Sequence, residues 1–334
     1  MSPRFLIVRL GSLGDVIHGI PVAAALRAAH RAAQIDWLVD PRYLEVLNLV
    51  PVLSRRIGVD PRGARTVLLR VIRDLRRTRY DAVLDLQGLI KSAVLARAAG
   101  GVQTIGLTRA HLREPAATLF YTRHVDPHGA RHVVFRNLAL LEPLGIRAEA
   151  PTFPLVIPPS AVADTVSAWF SHAGYVVLNP GAAWPNKRWP PDRFGAIAAA
   201  LREIRGLRSL VLWGPGERPL AEAVVAAANG AAELSPPTAV ADLFALAARA
   251  RLLVSGDTGP LHIAAAVGTP IVALFGPTFP ERNGPWSVTD LSVSRADRCV
   301  CHHKRRCRRS VACIDDITVN EVLEAIDRRF AAHG

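Results

Sequence analysis

No apolar run in this 334-residue sequence is long enough to cross a bilayer. The longest, around Ile263–Leu274, is interrupted by Gly and Pro and stops short of the ~18–20 residues that a membrane helix needs. The N-terminus, MSPRFLIVRLGSLGD, lacks a signal-peptide pattern, because its apolar stretch spans only Phe5–Val8 before Arg9 intervenes. A cytosolic protein is expected. Aromatic residues are scarce at 6%, with no stacking array or recognition helix, which argues against nucleic acid as the partner. Cysteine is scarcer still: Cys299, Cys301, Cys307 and Cys313 are the only four, gathered beside His302 and His303. A reducing cytosol disfavours structural disulfides. Their spacing, one residue and then two gaps of five, is no standard zinc finger. It leaves either free thiols in a basic loop or a structural tetrahedral metal site.

What is abundant is positive charge. Lys and Arg number 41 against 28 Asp and Glu, a net +13. That excess calls for an anionic partner: nucleic acid, an acidic membrane surface or a phosphorylated substrate. A GC-rich genome would favour arginine over lysine, but not cations over anions. The length, about twice that of a typical domain, suggests two domains. With 50% hydrophobic and 21% charged residues, the chain carries enough apolar material for two cores.

Periodicity alternates between strands and helices. Phe5–Val8 predicts a strand, Gly11 and Gly14 a turn, and Val16–Ala29 a helix. Ile35–Val39 and Ala82–Leu86 follow as strands, and Ile90–Ala99 as a helix. Arg65–Arg79 predicts an amphipathic helix with Leu68, Ile72 and Leu75 on one face and Arg70, Arg73 and Arg77 on another. Four prolines in Pro151–Pro159 mark a linker. The pattern then restarts. Strands are expected at Tyr175–Leu178, Leu207–Trp213, Leu252–Val254 and Pro270–Phe275. Helices are expected at Asp192–Ile204, Leu220–Ala228, Val240–Ala250 and Leu261–Val267. This is an α/β chain of two doubly wound, Rossmann-like parallel-sheet domains facing a central cleft. The division falls at residues 1–157 and 158–334, with the C-terminal helix free to pack back on the first domain. Ligands of such sheets bind at the carboxyl ends of strands, so the residues just after strands matter most.

Four such segments stand out. Arg9–His18 (RLGSLGDVIH) puts two glycines before a helix N-terminus, with Asp15 at the turn as either a helix cap or a functional carboxylate. Neither a dinucleotide fingerprint nor a Walker loop has this spacing. Asn179–Trp189 (NPGAAWPNKRW) is a glycine loop with the adjacent cations Lys187 and Arg188 between two tryptophans, suited to a diphosphate. Ser255–His262 (SGDTGPLH) sets Pro260 in a first helical turn and brings N–H groups, a hydroxyl and an imidazole to one region. Trp213–Glu217 (WGPGE) ends a strand with a carboxylate placed either for a ribose diol or in a plain surface turn.

Together these segments resemble glycosyltransferase family 9, the heptosyltransferases, over nearly the whole chain. RLGSLGDVIHGIP resembles the family's opening motif and SGDTGPLHIAAAVGTPIVALFGPT its donor motif. YDAVLDLQGLIKSAVLAR and LREPAATLFY are similar to the heptosyltransferase I branch, which adds the first heptose to Kdo. The resemblance implies a GT-B fold, an ADP-heptose donor, inversion at the anomeric carbon, no cofactor or metal in the transfer, and a Kdo–lipid A acceptor reached at the inner face of the inner membrane. It makes Asp15 the candidate general base and Lys187 the diphosphate cation. Donor contacts become Gly14, Gly181, Ala182, Ala183, Glu217, Asp257, Thr258, Gly259 and His262. Acceptor contacts become Gln87, Lys91, Arg113, His132 and Arg136. Two features depart from that branch. Ala182 and Ala183 replace a hydroxyl-bearing pair, which shifts phosphate binding to backbone N–H groups, and the tail is rich in cysteine.

The chemistry agrees. Displacing a nucleoside diphosphate needs a base on the acceptor hydroxyl and positive charge on the leaving phosphates. Many glycosyltransferases supply that charge with a metal on an Asp-x-Asp pair, and none occurs here. Alternatives are a heptosyltransferase II-like acceptor or a nucleotide-sugar epimerase of similar fold.

Overall fold

The computed structural model describes residues 2–148, 150–170, 174–302 and 304–332. The chain divides into two compact units between Val156 and Ile157, inside the extended proline-bearing stretch.

The first unit runs β1 (Arg4–Val8), α1 (Leu13–Ile17), α2 (Ile20–Ala29), β2 (Gln34–Val39), α3 (Leu44–Asn48), β3 (Arg55–Gly58), α4 (Arg65–Thr78), β4 (Ala82–Asp85), α5 (Ile90–Ala98), β5 (Gln103–Leu107), β6 (Arg123–Val125) and α6 (Val133–Ala139). Its six strands are all parallel, in the order β3-β2-β1-β4-β5-β6. Parallel strands covered on both faces are apolar throughout rather than alternating. β1 and β4 accordingly bury Leu6, Val8 and Val83 in one core with Leu38, Leu75 and Leu95.

The second unit comprises α7 (Ala161–Phe170), β7 (Tyr175–Asn179), α8 (Pro191–Arg205), β8 (Arg208–Val211), α9 (Arg218–Ala227), β9 (Ala232–Leu234), α10 (Val240–Arg249), β10 (Leu252–Gly256), α11 (Gly259–Val267), β11 (Ile271–Phe275), α12 (Pro280–Asn283), β12 (Leu291–Ser294) and α13 (Val319–Ala331). Its parallel order, β12-β11-β10-β7-β8-β9, is that of the first sheet read from the other edge. Val176, Leu178, Val254 and Val272 from the strands pack with Trp189, Phe194 and Ile197, and with Val322 and Ile326 of α13. Thus α13 packs on the second unit, against α8, β11 and β12.

In this strand order the connections reverse direction between β1 and β4, and again between β7 and β10. Such a point leaves a crevice beyond the carboxyl ends of the two strands. The segments Arg9–Asp15 and Leu86–Gly88 lie just past the first switch point. Asn179–Lys187 and Asp257–His262 lie just past the second.

Two expectations are corrected. The expected helix Val16–Ala29 is two helices, with His18 and Gly19 between them. A Cβ on Gly19 would lie 2.7 Å from the Trp37 indole and 3.0 Å from Leu86, so close packing dictates glycine at the joint. The expected strand Leu207–Trp213 shortens to β8, because Leu212 and Trp213 already belong to the turn that carries Glu217. Sequence periodicity also passes over the edge strands β3, β6, β9 and β12. They are three or four residues long and carry arginine, histidine, glutamate or serine, as edges with one partner do. Among the described residues no helix is long and apolar enough to cross a membrane.

Candidate active site

In the first unit the chain leaves β1 at Arg9 and turns through Gly11 into α1. Gly11 has φ +154°, and a Cβ there would sit 2.5 Å from the Tyr43 ring. Ser12, not Asp15, occupies the N-cap. Asp15 is the third helical residue, and its Oδ2 accepts from the Ser12 N–H and the Ser12 hydroxyl, each at 2.9 Å. Its Oδ1 pairs with Arg9, whose guanidinium also donates to the Leu86 carbonyl. Asp15 thus completes the helix cap from its third position. The carboxylate is oriented by three local donors, yet its side chain stays 36% exposed while Arg9 is buried.

Across the switch point the turn after β4 is braced by Asp85, which sequence reasoning missed. Asp85 is fully buried. Its Oδ1 accepts from the N–H groups of Gln87 (2.9 Å) and Gly88 (3.3 Å), and its Oδ2 from Ser92 (2.9 Å) and Tyr121 (2.8 Å). Burial pushes its carboxyl pKa up, against the pull of the Tyr121, Gln87 and Ser92 bonds. The signal was present in sequence, since an aspartate ends an otherwise apolar strand. Gln87 in turn accepts from the Leu10 N–H at 2.9 Å, so its side-chain carbonyl ties the two switch-point loops together. Lys91 is exposed in the first turn of α5 and lines an open 440 Å³ cavity with Asp40, Arg42, Asp60 and Arg62. Arg113 is exposed. His132 is the N-cap of α6, where its Nδ1 accepts from the Val134 N–H at 3.2 Å, and its ring stands edge-on to His18 at 5.6 Å. Arg136 donates to the His111 carbonyl at 2.6 Å. Gln87, His132 and Arg136 therefore each carry a structural bond beside any contact with substrate.

In the second unit the pairing of Asn179 with Ser255 sets β7 and β10 in register, and their side chains meet at 3.0 Å. Asn179 also donates to the Thr258 hydroxyl at 2.9 Å and to the Gly181 carbonyl at 3.3 Å. Thr258 is the N-cap of the nine-residue α11. Pro260 has no N–H and that of Leu261 is bonded to the Thr258 carbonyl at 3.2 Å, so the N–H groups of Thr258 and Gly259 are the ones a ligand at this helix start would meet. Lys187 reaches across to Asp257, with Nζ 2.5 Å from Oδ2 and 4.8 Å from the Trp184 ring centroid. Thr278 donates to the same Asp257 oxygen at 2.8 Å, and His262 Nε2 lies 3.5 Å from the other. Burial pushes the Asp257 pKa up, but the His262 hydrogen bond and the Lys187 charge outweigh it and hold the carboxyl well below the usual carboxylate range. Both Asp257 oxygens are engaged by protein groups. The carboxylate thereby holds Lys187 and His262 in place.

Glu217 closes the same loop. A Cβ on Gly181 would lie 2.1 Å from Glu217 Oε2, so the carboxylate rests directly on the glycine. Its Oε2 accepts from the Gly214 N–H at 3.2 Å, and its Oε1 is 3.9 Å from Arg188. Arg188 donates to the Ala182 carbonyl at 2.8 Å, fixing the Gly181-Ala182-Ala183 segment. Gly14 is buried within α1, in the other unit from these donor-loop residues.

The tail brings Cys299, Cys301 and Cys313 together in a small buried cluster, with Cys307 packed against it, and all four are free thiols. His302 stacks on Phe279 at 4.6 Å, and His303 lies outside the described residues. No group of three or more His, Cys, Asp or Glu among the described residues is placed to hold a metal. The tail braces the donor loop: Asn186 donates to the Lys304 carbonyl at 2.8 Å, and Trp189 to that of Ile317 at 3.0 Å.

Two doubly wound sheets, each with polar residues converging at its switch point, define the GT-B class of sugar-nucleotide transferases. Comparison with known proteins fixes the family. The profile of glycosyltransferase family 9 (heptosyltransferase) matches residues 68–312, and the chain belongs to that family. It is 33% identical over 320 residues to lipopolysaccharide heptosyltransferase 1 of Pseudomonas aeruginosa, covering 91% of this chain and 87% of that one. It is 30% identical to lipopolysaccharide heptosyltransferase 1 of Escherichia coli, over 88% and 94% of the two chains. The solved E. coli heptosyltransferase WaaC with ADP superposes with a TM-score of 0.78, at 26% identity, over 98% of this chain and 99% of that one.

Proposed function

We propose that the chain is an inverting, metal-independent heptosyltransferase that moves heptose from ADP-heptose to Kdo in the inner core of lipopolysaccharide. The observation that carries this reading is the Lys187 ammonium at the second switch point, fixed by a buried carboxylate beside the N-terminus of α11. That is a cation and a set of N–H donors prepared for a departing diphosphate. Lys187 donates to the Asp257 carboxylate and, at 3.4 Å, to its carbonyl, which leaves one of the three ammonium protons for a phosphate oxygen. Glu217, resting on Gly181, is placed for the ribose hydroxyls of the nucleoside.

In the first unit Asp15 serves as the base. The contacts from Ser12 and Arg9 fix the direction of the carboxylate while it stays reachable from solvent. It takes the proton of the attacking Kdo hydroxyl as the bond to the heptose anomeric carbon forms and the bond to the diphosphate breaks. The negative charge accumulates on the leaving ADP, where Lys187 and the α11 N–H groups stabilise it. Lys91 and Arg113 are the exposed cations of the first unit that match an anionic acceptor. The enzyme works in the cytoplasm at the membrane surface where that acceptor lies. The relatives named above are lipopolysaccharide heptosyltransferase 1 enzymes, which favours Kdo over the acceptor of heptosyltransferase II.

Mass spectrometry of a Kdo–lipid A acceptor incubated with ADP-heptose tests the proposal. One added heptose per acceptor, with ADP released and dependent on the acceptor, is the expected result. Conversion of the donor without any acceptor would instead identify an epimerase.

A further inference from the structure

Helix α4 carries a charge pattern that the fold does not use. Its inner face, Leu68, Val71, Ile72 and Leu75, packs on the first core. Its outer face presents Arg70, Arg73 and Arg77, all exposed and without a protein partner among the described residues. The only acid of the helix, Asp74, lies 3.3 Å from Arg55 of β3. Arg70 with Arg73, and Arg73 with Arg77, therefore stand at like-charge spacings that destabilise a helix. Flanking them, Val67 and Leu69 are 54% and 56% exposed. Arg79 then ends the helix in the left-handed conformation, φ +54°, at a position where glycine is the economical choice. Leu69, Ile72, Arg73, Arg76, Arg77 and Arg79 line an open groove of 610 Å³.

Cations that repel one another, solvent-exposed aliphatic side chains on their shoulders and an arginine kept at a strained position all point to an occupant that is anionic and apolar at once. We propose that this face of α4 is the surface by which the protein docks on an anionic lipid leaflet. Headgroup phosphates lie in the arginine groove, and Leu69 and Val67 enter the acyl boundary. The proposal deepens the reading of a membrane-borne acceptor by naming the surface that meets the membrane. A nucleic acid would satisfy the arginines but gain nothing from Leu69 and Val67.

The test uses the full chain and sedimentation with vesicles of phosphatidylcholine alone or with added phosphatidylglycerol, across salt concentrations. Binding to the anionic vesicles only is expected, weakening with salt. Arg73→Glu with Arg77→Glu should lower the partition coefficient by well over the roughly five-fold per charge expected near such a surface, because each change also reverses sign. Leu69→Ser, which removes the aliphatic side chain without adding charge, should weaken vesicle binding while leaving affinity for a duplex DNA fragment unchanged. Arg79→Gly should raise the melting temperature and lower vesicle binding together, an opposite movement that a purely structural arginine would not give. ADP affinity serves as the folding control and reports separately on the transferase reading. Unchanged sedimentation of the double variant, or equal loss of DNA and vesicle binding in Leu69→Ser, would overturn the proposal.

Discussion

The proposed role of Asp15 asks one carboxylate to serve a helix and a reaction at once. Its bonds to Ser12 and its pairing with Arg9 fix the side chain. Asp15→Asn keeps most of that geometry and removes the basicity, so turnover should fall by ~10²–10⁴-fold with ADP affinity nearly unchanged. Steady-state rates and ADP titration of a folded variant check this, and near-normal turnover would return Asp15 to a capping role alone. Asp257 works through others. Asp257→Asn should weaken ADP binding, because Lys187 and His262 lose the charge that positions them. The same group sets an acid limit. Its folded-state pKa lies below the unfolded value, so its stabilisation is complete above the ordinary carboxylate range and is lost as pH falls toward the depressed value. Wild type should lose stability on acidification below about pH 4, and Asp257→Asn should show a shallower loss in melting temperature over the same range.

At the scale of elements, the two loops are held by close approaches at glycine. Gly19→Ala pushes a methyl into the Trp37 indole of β2 and into Leu86, neither of which has room to move, since both are buried. Overpacking of this kind costs about 1–3 kcal/mol, so the melting temperature should fall while any residual fold keeps ADP affinity. Gly181→Ala meets only the end of the flexible Glu217 side chain. It should displace that carboxylate and lower ADP affinity with little change in melting temperature, the reverse split. The central strands other than β5 were legible in sequence because burial on both faces leaves a continuous apolar signature, which Gln103 and Thr104 break in β5. The four segments of the site were legible because they follow those strands. The break at Gly19 was not, since its cause is the Trp37 ring from a neighbouring strand. Asp85 was hidden for a similar reason: its partners Ser92 and Tyr121 come from separate elements. The pairing of Asp257 with Lys187 spans seventy positions, and no local pattern announces it.

At the scale of the whole molecule, the question is where the cations act. Of the net +13, some arginines are spent inside the units: Arg9 on Asp15, Arg55 on buried Asp36, Arg295 on Glu321 and Arg329 on Asp290. Lys187 and the N-terminus of α11 bring positive charge together at the second switch point, where we place the donor. A catalytic metal would need an anionic pocket there, yet both Asp257 oxygens are already engaged by Lys187, Thr278 and His262. The four thiols of the tail lie elsewhere, behind the loop that carries Asn186, and reach the chemistry only by bracing it. A chelator such as EDTA should therefore leave the initial transfer rate of freshly purified protein intact. Elemental analysis of the same preparation shows whether the thiols carry an ion. If they do, its slow removal should lower the melting temperature and, through the Asn186 brace, ADP affinity, with kinetics that follow unfolding of the tail. A rapid loss of turnover on chelation, restored by adding metal and without any change in melting temperature, would instead place a metal in the transfer step.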